Sequence, residues 1–200
     1  MKQTTHIRFA AESDAAAMAD LYRPYVLETV YTFEYEPPDG TAFAGRLRRT
    51  QPDFPWLAAE RDGQLLGYAY ASRAFERAAY GWDADLSVYL RPEAQGCGLG
   101  RTFYALLERM LARQGYQVVY GLVTGENEGS CRFHEALGYR LTATLPDCGF
   151  KHGRWLAVHW YEKRLCPPVP PGQPPRPASE MDWTGLDLSG LGPFAVKLGF

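Results

Sequence analysis

Apolar and polar positions along the first 165 residues fall into short runs of period two, interleaved with longer stretches of period near four. That alternation predicts an α/β domain. Residues 6–10 (HIRFA) alternate weakly and predict a first strand. Ser13 and Asp14 offer an N-cap to a helix through AAAMADLYR, and Pro24 predicts a kink or break in it. Residues 28–35 (ETVYTFEY) carry β-branched and aromatic side chains until PPDG at 37–40 ends them. A second helix is expected from 41 to about 50, with Arg46, Arg48 and Arg49 on its solvated side. Trp56 to Glu60 and Leu65 to Tyr70 flank Asp62-Gly63, which reads as a hairpin, and residues 72–82 form a mixed connection.

The next stretch organises the rest. In residues 85–90, Leu86, Val88 and Leu90 fall on one face of a strand and Asp85, Ser87 and Tyr89 on the other. A short polar connection leads to the glycine-rich QGCGLG at 95–100. Phe103, Leu106, Leu107, Met110 and Leu111 then mark a full helical stripe, ended by Gly115. Residues 118–123 (VVYGLV) read as a buried, parallel strand. Asn127 and Ser130 introduce another helix with Phe133 and Leu137 on its core face and Gly138 at its end. Two closing strands are expected near 139–143 and 155–162.

Composition adds limits. A net charge of −2 among 200 residues excludes a general affinity for nucleic acid. With no long apolar run and no apolar leader core near the start, no membrane partner and a cytoplasmic location are expected. Cys97, Cys131, Cys148 and Cys166 form no C-x-x-C pair, so free thiols are expected, with neither a disulfide framework nor a metal site. No His stands beside Cys97 to activate it as an acyl carrier. From Cys166 the composition changes, seven of the eleven residues 167–177 being proline. Three segments follow: a domain over 1–165, a Pro-rich linker over 166–178, and a tail over 179–200. The tail's Trp183, Leu186, Leu188, Leu191 and Phe194 argue for docking, onto the body or a neighbouring subunit.

A strand, a glycine loop and a helix N-terminus together make a cradle for an anion, since free amides and the helix dipole both favour negative charge there. A Walker loop would need Lys-Ser/Thr after Gly100, where Arg101 stands. A dinucleotide fingerprint belongs on the first strand, whereas this loop lies mid-chain. Gln95-x-x-Gly98-x-Gly100 instead resembles the pyrophosphate signature of the GNAT-type N-acetyltransferases. The resemblance extends over residues 6–165 and is carried by TVYTF (29–33), PWLAAERDG (55–63), WDADLSVYL (82–90), HEALGY (134–139) and GFKHGRW (149–155). These pieces resemble the phosphinothricin and methionine sulfoximine acetyltransferase branch.

The resemblance implies a mixed, twisted, splayed central sheet with helices on both faces, and the Pro-rich extension lies outside it. It implies acetyl-CoA as co-substrate, an amino-acid-like small amine as acceptor, direct attack in a ternary complex, and a homodimer. Val88, Tyr89 and Leu90 match the main-chain segment that meets the acetyl carbonyl. Gln95, Gly96, Cys97, Gly98, Leu99, Gly100 and Arg101 match the pyrophosphate loop, and Asn127, with Ser130, matches the cofactor arm. Asp85 stands where the family has a Glu assigned as general base, one methylene longer, and His134 stands at its other catalytic position. Arg73 and Phe75 match a substrate-contacting segment, Arg77 and Lys151 compete with Arg73 for an acceptor carboxylate, and Tyr31 and Phe33 supply an aromatic wall. A protein N-terminal or lysine acetyltransferase, and a non-catalytic acyl-CoA-binding module, are the alternatives.

Overall fold

The computed structural model describes residues 4–168, 170 and 172–198. Its elements in chain order are β1 (His6–Phe9), α1 (Ala15–Glu28), α2 (Gly40–Thr50), β2 (Trp56–Arg61), β3 (Gln64–Arg73), β4 (Asp83–Leu90), α3 (Leu99–Gln114), β5 (Val118–Thr124), α4 (Glu128–Ala136), β6 (Arg140–Lys151), β7 (Arg154–Arg164) and β8 (Ala195–Lys197). All eight strands form one sheet in the order β6-β7-β5-β4-β3-β2-β1-β8. The pairs β4/β5 and β1/β8 are parallel, and the other neighbours run antiparallel.

Strand alternation splits the core between the two faces. On β2, Trp56 and Ala58 pack with Met18, Tyr22 and Val26 of α1 and Phe43 and Leu47 of α2. Leu57 and Ala59 point the other way, toward Phe103, Leu106, Leu107, Met110 and Leu111 of α3. All five of those α3 side chains are fully buried, as their period requires.

Several local expectations change. Helix α1 runs through Pro24 to Glu28 without breaking. Asp14 stands at its N-cap, yet its carboxylate accepts from Arg8 (2.7 and 2.8 Å) and from the Ala11 amide (2.8 Å) rather than from the helix. Arg46 is not a solvated side chain: its guanidinium grips Glu34 through two bonds of 2.9 and 2.7 Å. Residues 29–39 form no strand; they bridge α1 and α2 and lie against the β6–β7 hairpin, with Lys151 donating to the Thr32 carbonyl. Strand β6 is far longer than its pattern suggests. Irregular register between Leu141 and Ala143 and between Leu145 and Gly149 destroys the period of two, and Pro146 is tolerated because β6 is an edge strand.

The tail docks onto the body. Arg113 donates to the Thr184 carbonyl (2.9 Å), Arg109 to those of Asp187 and Ser189 (2.6 and 2.9 Å), and Thr102 Oγ1 to that of Leu191 (2.6 Å). The tail therefore runs antiparallel along α3, burying Met181, Trp183 and Leu191 in the same core as α3. It ends as β8 beside β1.

Candidate active site

The site arises where two parallel strands part. β4 and β5 pair only at Asp83–Val118, Ala84–Val119 and Asp85–Tyr120. Beyond that point β4 stays with β3 and β5 with β7. The gap is a slot of about 80 Å³ that crosses the sheet. Tyr31, Ser87 and Leu122 line it from one face, and Val88, Tyr104, Asn127, Ser130 and His134 from the other.

Two tyrosines occupy main-chain groups that the splay frees. Tyr104 Oη lies 3.3 Å from the Leu86 carbonyl. Tyr25 Oη donates to the Leu90 carbonyl (2.6 Å) and accepts from the Leu90 amide (3.3 Å). By the twofold alternation of a strand, Val88 presents its N–H and C=O to the slot between them. Of the segment 88–90, Tyr89 turns its main chain toward β3 and Leu90 is held by Tyr25, which leaves Val88 facing the slot.

The glycine loop lies at the end of the same strand. Gly96 (φ 70°) and Gly98 (φ 91°) adopt the left-handed conformation, although a Cβ on either would meet nothing within 4 Å. They are there for backbone direction, not for packing. Gly98 caps α3, whose first bond runs from the Thr102 amide to the Gly98 carbonyl (3.0 Å). The amides of Leu99, Gly100 and Arg101 thus precede any intrahelical partner. Gln95, Gly96, Cys97 and Arg101 are exposed around them, while Gly100 is buried, and a Cβ there would lie 3.4 Å from the Phe133 ring. Asn127 accepts from the Ser130 amide (3.1 Å) and so caps α4 beside the slot. A row of helix-start amides without intrahelical partners, beside a slot, fits a pyrophosphate with a thioester arm.

Asp85 and His134 lie on opposite faces. Asp85 shares its face with Ser87 and with its register partner Tyr120, and its Oδ1 is shielded from water without a hydrogen-bond partner. Burial pushes its carboxyl from 3.8 up to about 7, opposed by the Leu86 amide. His134 is 3% exposed. Its Nδ1 lies 2.8 Å from the Ser130 carbonyl and its Nε2 3.1 Å from Tyr104 Oη, with the ring stacked on Tyr161. A carbonyl only accepts, so Nδ1 carries the proton and Nε2 is the acceptor. Burial lowers the imidazole pKa, which favours the neutral ring. The pocket exists because residue 121 is glycine: a Cβ there would lie 2.3 Å from Nε2.

Residues 7–160 match the family described as acetyltransferase (GNAT) domain. The chain belongs to this family. It is 35% identical over 180 residues to phosphinothricin N-acetyltransferase of Streptomyces viridochromogenes, covering 90% of this chain and 98% of that one. It is 33% identical over 162 residues to the L-methionine sulfoximine/L-methionine sulfone acetyltransferase of Salmonella typhimurium, covering 80% and 94%. Among solved structures, a GNAT superfamily phosphinothricin acetyltransferase from Sinorhizobium meliloti in complex with acetyl-CoA superposes with a TM-score of 0.76 at 32% identity, covering 82% and 89%. The match to the Streptomyces enzyme is too long to end at residue 165 and reaches into the Pro-rich extension.

The GNAT frame sorts the substrate residues. Tyr31 reaches the slot. Phe33 does not: its ring lies against Gly149, where a Cβ would sit 2.4 Å away, and it fastens the 29–39 bridge to β6. Phe75 stacks on Trp160 (5.5 Å) and meets Tyr120 edge-on (5.6 Å), on the Asp85 face. Arg73 is registered with Ala84, which puts it on the face opposite Asp85; a one-residue step along β3 reverses the side. Lys151 is buried and donates to the Thr32 carbonyl (2.7 Å). Arg77 is exposed, just before the turn that brings Tyr80 onto Phe75. Tyr25 and Tyr104 were not legible as site residues, because a tyrosine within a helical stripe reads as core.

Proposed function

We propose that the protein moves the acetyl group of acetyl-CoA to the amine of a small amino-acid-like acceptor, of the phosphinothricin or methionine sulfoximine/sulfone type, by direct attack in a ternary complex. The observation that carries this reading is the slot between the parting strands, with Asp85, its Oδ1 shielded and unpartnered, at the last paired position of β4 and the glycine loop beyond the far end of the same strand. Acetyl-CoA would lie with its pyrophosphate on the amides of 98–101 and its arm along Val88 and Asn127, and it supplies the activated acetyl group. Asp85, with a pKa near neutrality, takes the proton from the acceptor ammonium, directly or through one water. The nitrogen attacks the carbonyl carbon as the C–S bond breaks, and the Val88 amide faces the developing oxyanion. His134 handles the proton that the departing thiolate requires.

The acceptor side favours a small molecule over a protein chain. The bridge 29–39 is tied down across that face by Thr124 Oγ1 to the Val30 carbonyl (2.7 Å), Lys151 to Thr32, and Tyr35 to Phe150. With Arg73 turned away, we assign the acceptor carboxylate to Arg77. We also place the enzyme in the cytoplasm as a homodimer. Four free cysteines support a reducing compartment, and the exposed Leu141, Leu145, Phe150 and Trp155 of the β6–β7 hairpin support a partner copy.

The test is thiol release from acetyl-CoA with a panel of amines containing phosphinothricin, methionine sulfoximine and methionine sulfone. Turnover with at least one of these three is expected. Tight acetyl-CoA binding with no turnover on any amine would favour a non-catalytic module instead.

A further inference from the structure

Both imidazole nitrogens of His134 are spoken for inside the protein. Nδ1 faces the Ser130 carbonyl, with Ser130 Oγ at 3.4 Å, and Nε2 faces Tyr104. The ring is closed in by Tyr161, Tyr139, Phe133 and the backbone of Gly121. The imidazole therefore has no free nitrogen to offer a reacting group. The Tyr104 hydroxyl does have a second direction. It lies 3.3 Å from the carbonyl of Leu86, the first β4 residue past the last β4–β5 pair, at the base of the slot.

We infer that Tyr104 is the residue through which His134 exchanges its proton with the slot, and that it does so by switching between the two partners it already touches. With His134 neutral, the phenol proton points to Nε2. With Nε2 protonated, the phenol oxygen accepts from Nε2–H and its own proton turns outward, to the Leu86 carbonyl or to a sulfur anion in the slot. One proton then passes as a relay: His134 first takes its second proton from solvent through Tyr104 while the slot is open, the phenol O–H bond then breaks as an S–H bond forms, and the phenol oxygen is reprotonated from Nε2, leaving neutral imidazole and intact tyrosine. No lasting phenolate is required, which suits a phenol whose burial holds its pKa well above the usual range. Tyr104 is itself 1% exposed and ringed by Phe133 and Tyr139, so the hydroxyl cannot swing elsewhere.

This inference rests on the reading of His134 as the proton source for the leaving thiolate. It is tested by a double-mutant cycle on purified full-length protein with Tyr104→Phe, His134→Gln and the pair, reading kcat, KM for acetyl-CoA and Tm. A relay predicts that Tyr104→Phe lowers kcat by roughly tenfold or more with KM for acetyl-CoA within about twofold, since a positioned acid contributes about 10²–10⁴. It also predicts that the double variant is no slower than the slower single one, because groups that act as a unit are not additive. Losses that multiply in the double variant would mean that Tyr104 serves packing alone. If His134→Gln loses activity and Tyr104→Phe does not, the relay falls and the reading of His134 stands; if His134→Gln is fully active, both fall. Should Tyr104→Phe lower Tm so far that no folded protein is recovered, Tyr104→3-fluorotyrosine keeps the ring and hydroxyl but acidifies the phenol. A kcat unchanged by that substitution would overturn the relay, and a kcat moved by roughly threefold or more, at unchanged KM for acetyl-CoA, would uphold it.

Discussion

The two faces of β4 treat their ionisable groups in opposite ways. On the face toward α3 and α4, His134 has a partner for each nitrogen and an aromatic wall on its flanks. On the other face, Asp85 has its Oδ1 shielded from water and unpartnered. Burial opposes charge in both, lowering the imidazole pKa and raising the carboxyl to about 7. The hydrogen bonds decide the rest. A fully partnered imidazole is held still and suits the passing of a proton along fixed contacts. A carboxylate whose charge is held only by the Leu86 amide against burial gains much from taking a proton, which suits a base.

The largest expected effect tests the base. Asp85→Asn keeps shape and polarity but cannot take a proton, and kcat is expected to fall by about 10²–10⁴ with KM for acetyl-CoA little changed. In the unmodified enzyme, kcat/KM for the acceptor should decline on the acid side with an apparent pKa of about 7. Steady-state rates from pH 5.5 to 9 check both. An acid limb near 4 would show that Asp85 is hydrated, and the contrast between the faces would be lost.

The same substitution has a stability signature. The folded-state pKa of Asp85 is raised, so the folded state binds more protons than the unfolded one between 3.8 and about 7. Across that window stability falls as pH rises, and the penalty is then constant above it. A shift of this size corresponds to on the order of 4 kcal/mol. Asp85→Asn, uncharged throughout, should therefore be more stable than the unmodified protein at pH 8, with the gain shrinking toward pH 4. Urea unfolding at several pH values measures it. An inactive variant that is more stable is the outcome expected of a site strained for function.

Much of this was readable beforehand, and the gaps have physical causes. The α3 stripe and the Gly98 cap follow from period and from the conformational freedom of glycine, so the strand–loop–helix geometry was open to the sequence. Asp85 could be assigned to a face by alternation, whereas its missing partner is a fact about packing. The facing of Arg73 was not readable, because it depends on β3 running on to residue 73 and continuing its alternation there. Strand β6 was cut short by its bulges. The tail's apolar residues argued for docking, but its three anchors on α3, Thr102, Arg109 and Arg113, reveal themselves only once the helix's outer face is seen.

A smaller effect is expected from crowding the imidazole. In Gly121→Ala the new methyl would sit 2.3 Å from Nε2 and 2.7 Å from Cδ2 of a ring backed by Tyr161. Overpacking of this kind typically destabilises by about 1–3 kcal/mol. The Tyr104 bond should break as the ring is displaced, so kcat should fall with Tm. On the Asp85 face, Leu122→Ala trims a half-exposed side chain and should leave Tm almost unchanged.

The smallest effect makes the contrast quantitative from the other side. His134→Gln removes the aromatic stacking and one of two hydrogen bonds, for a loss of about 1 kcal/mol at pH 8. The folded-state pKa of His134 is lowered, so stability from the neutral ring is present above the unfolded value of 6.5 and drains away as pH falls below it. The deficit of His134→Gln should thus shrink on acidification, as the unmodified protein loses what the variant never had. Asp85→Asn starts above the unmodified protein at pH 8 and His134→Gln starts below it, and both should approach it as pH falls. Two variants with parallel, pH-independent offsets would mean that neither group is held away from its ordinary pKa, and the division of labour between the two faces would have no electrostatic basis.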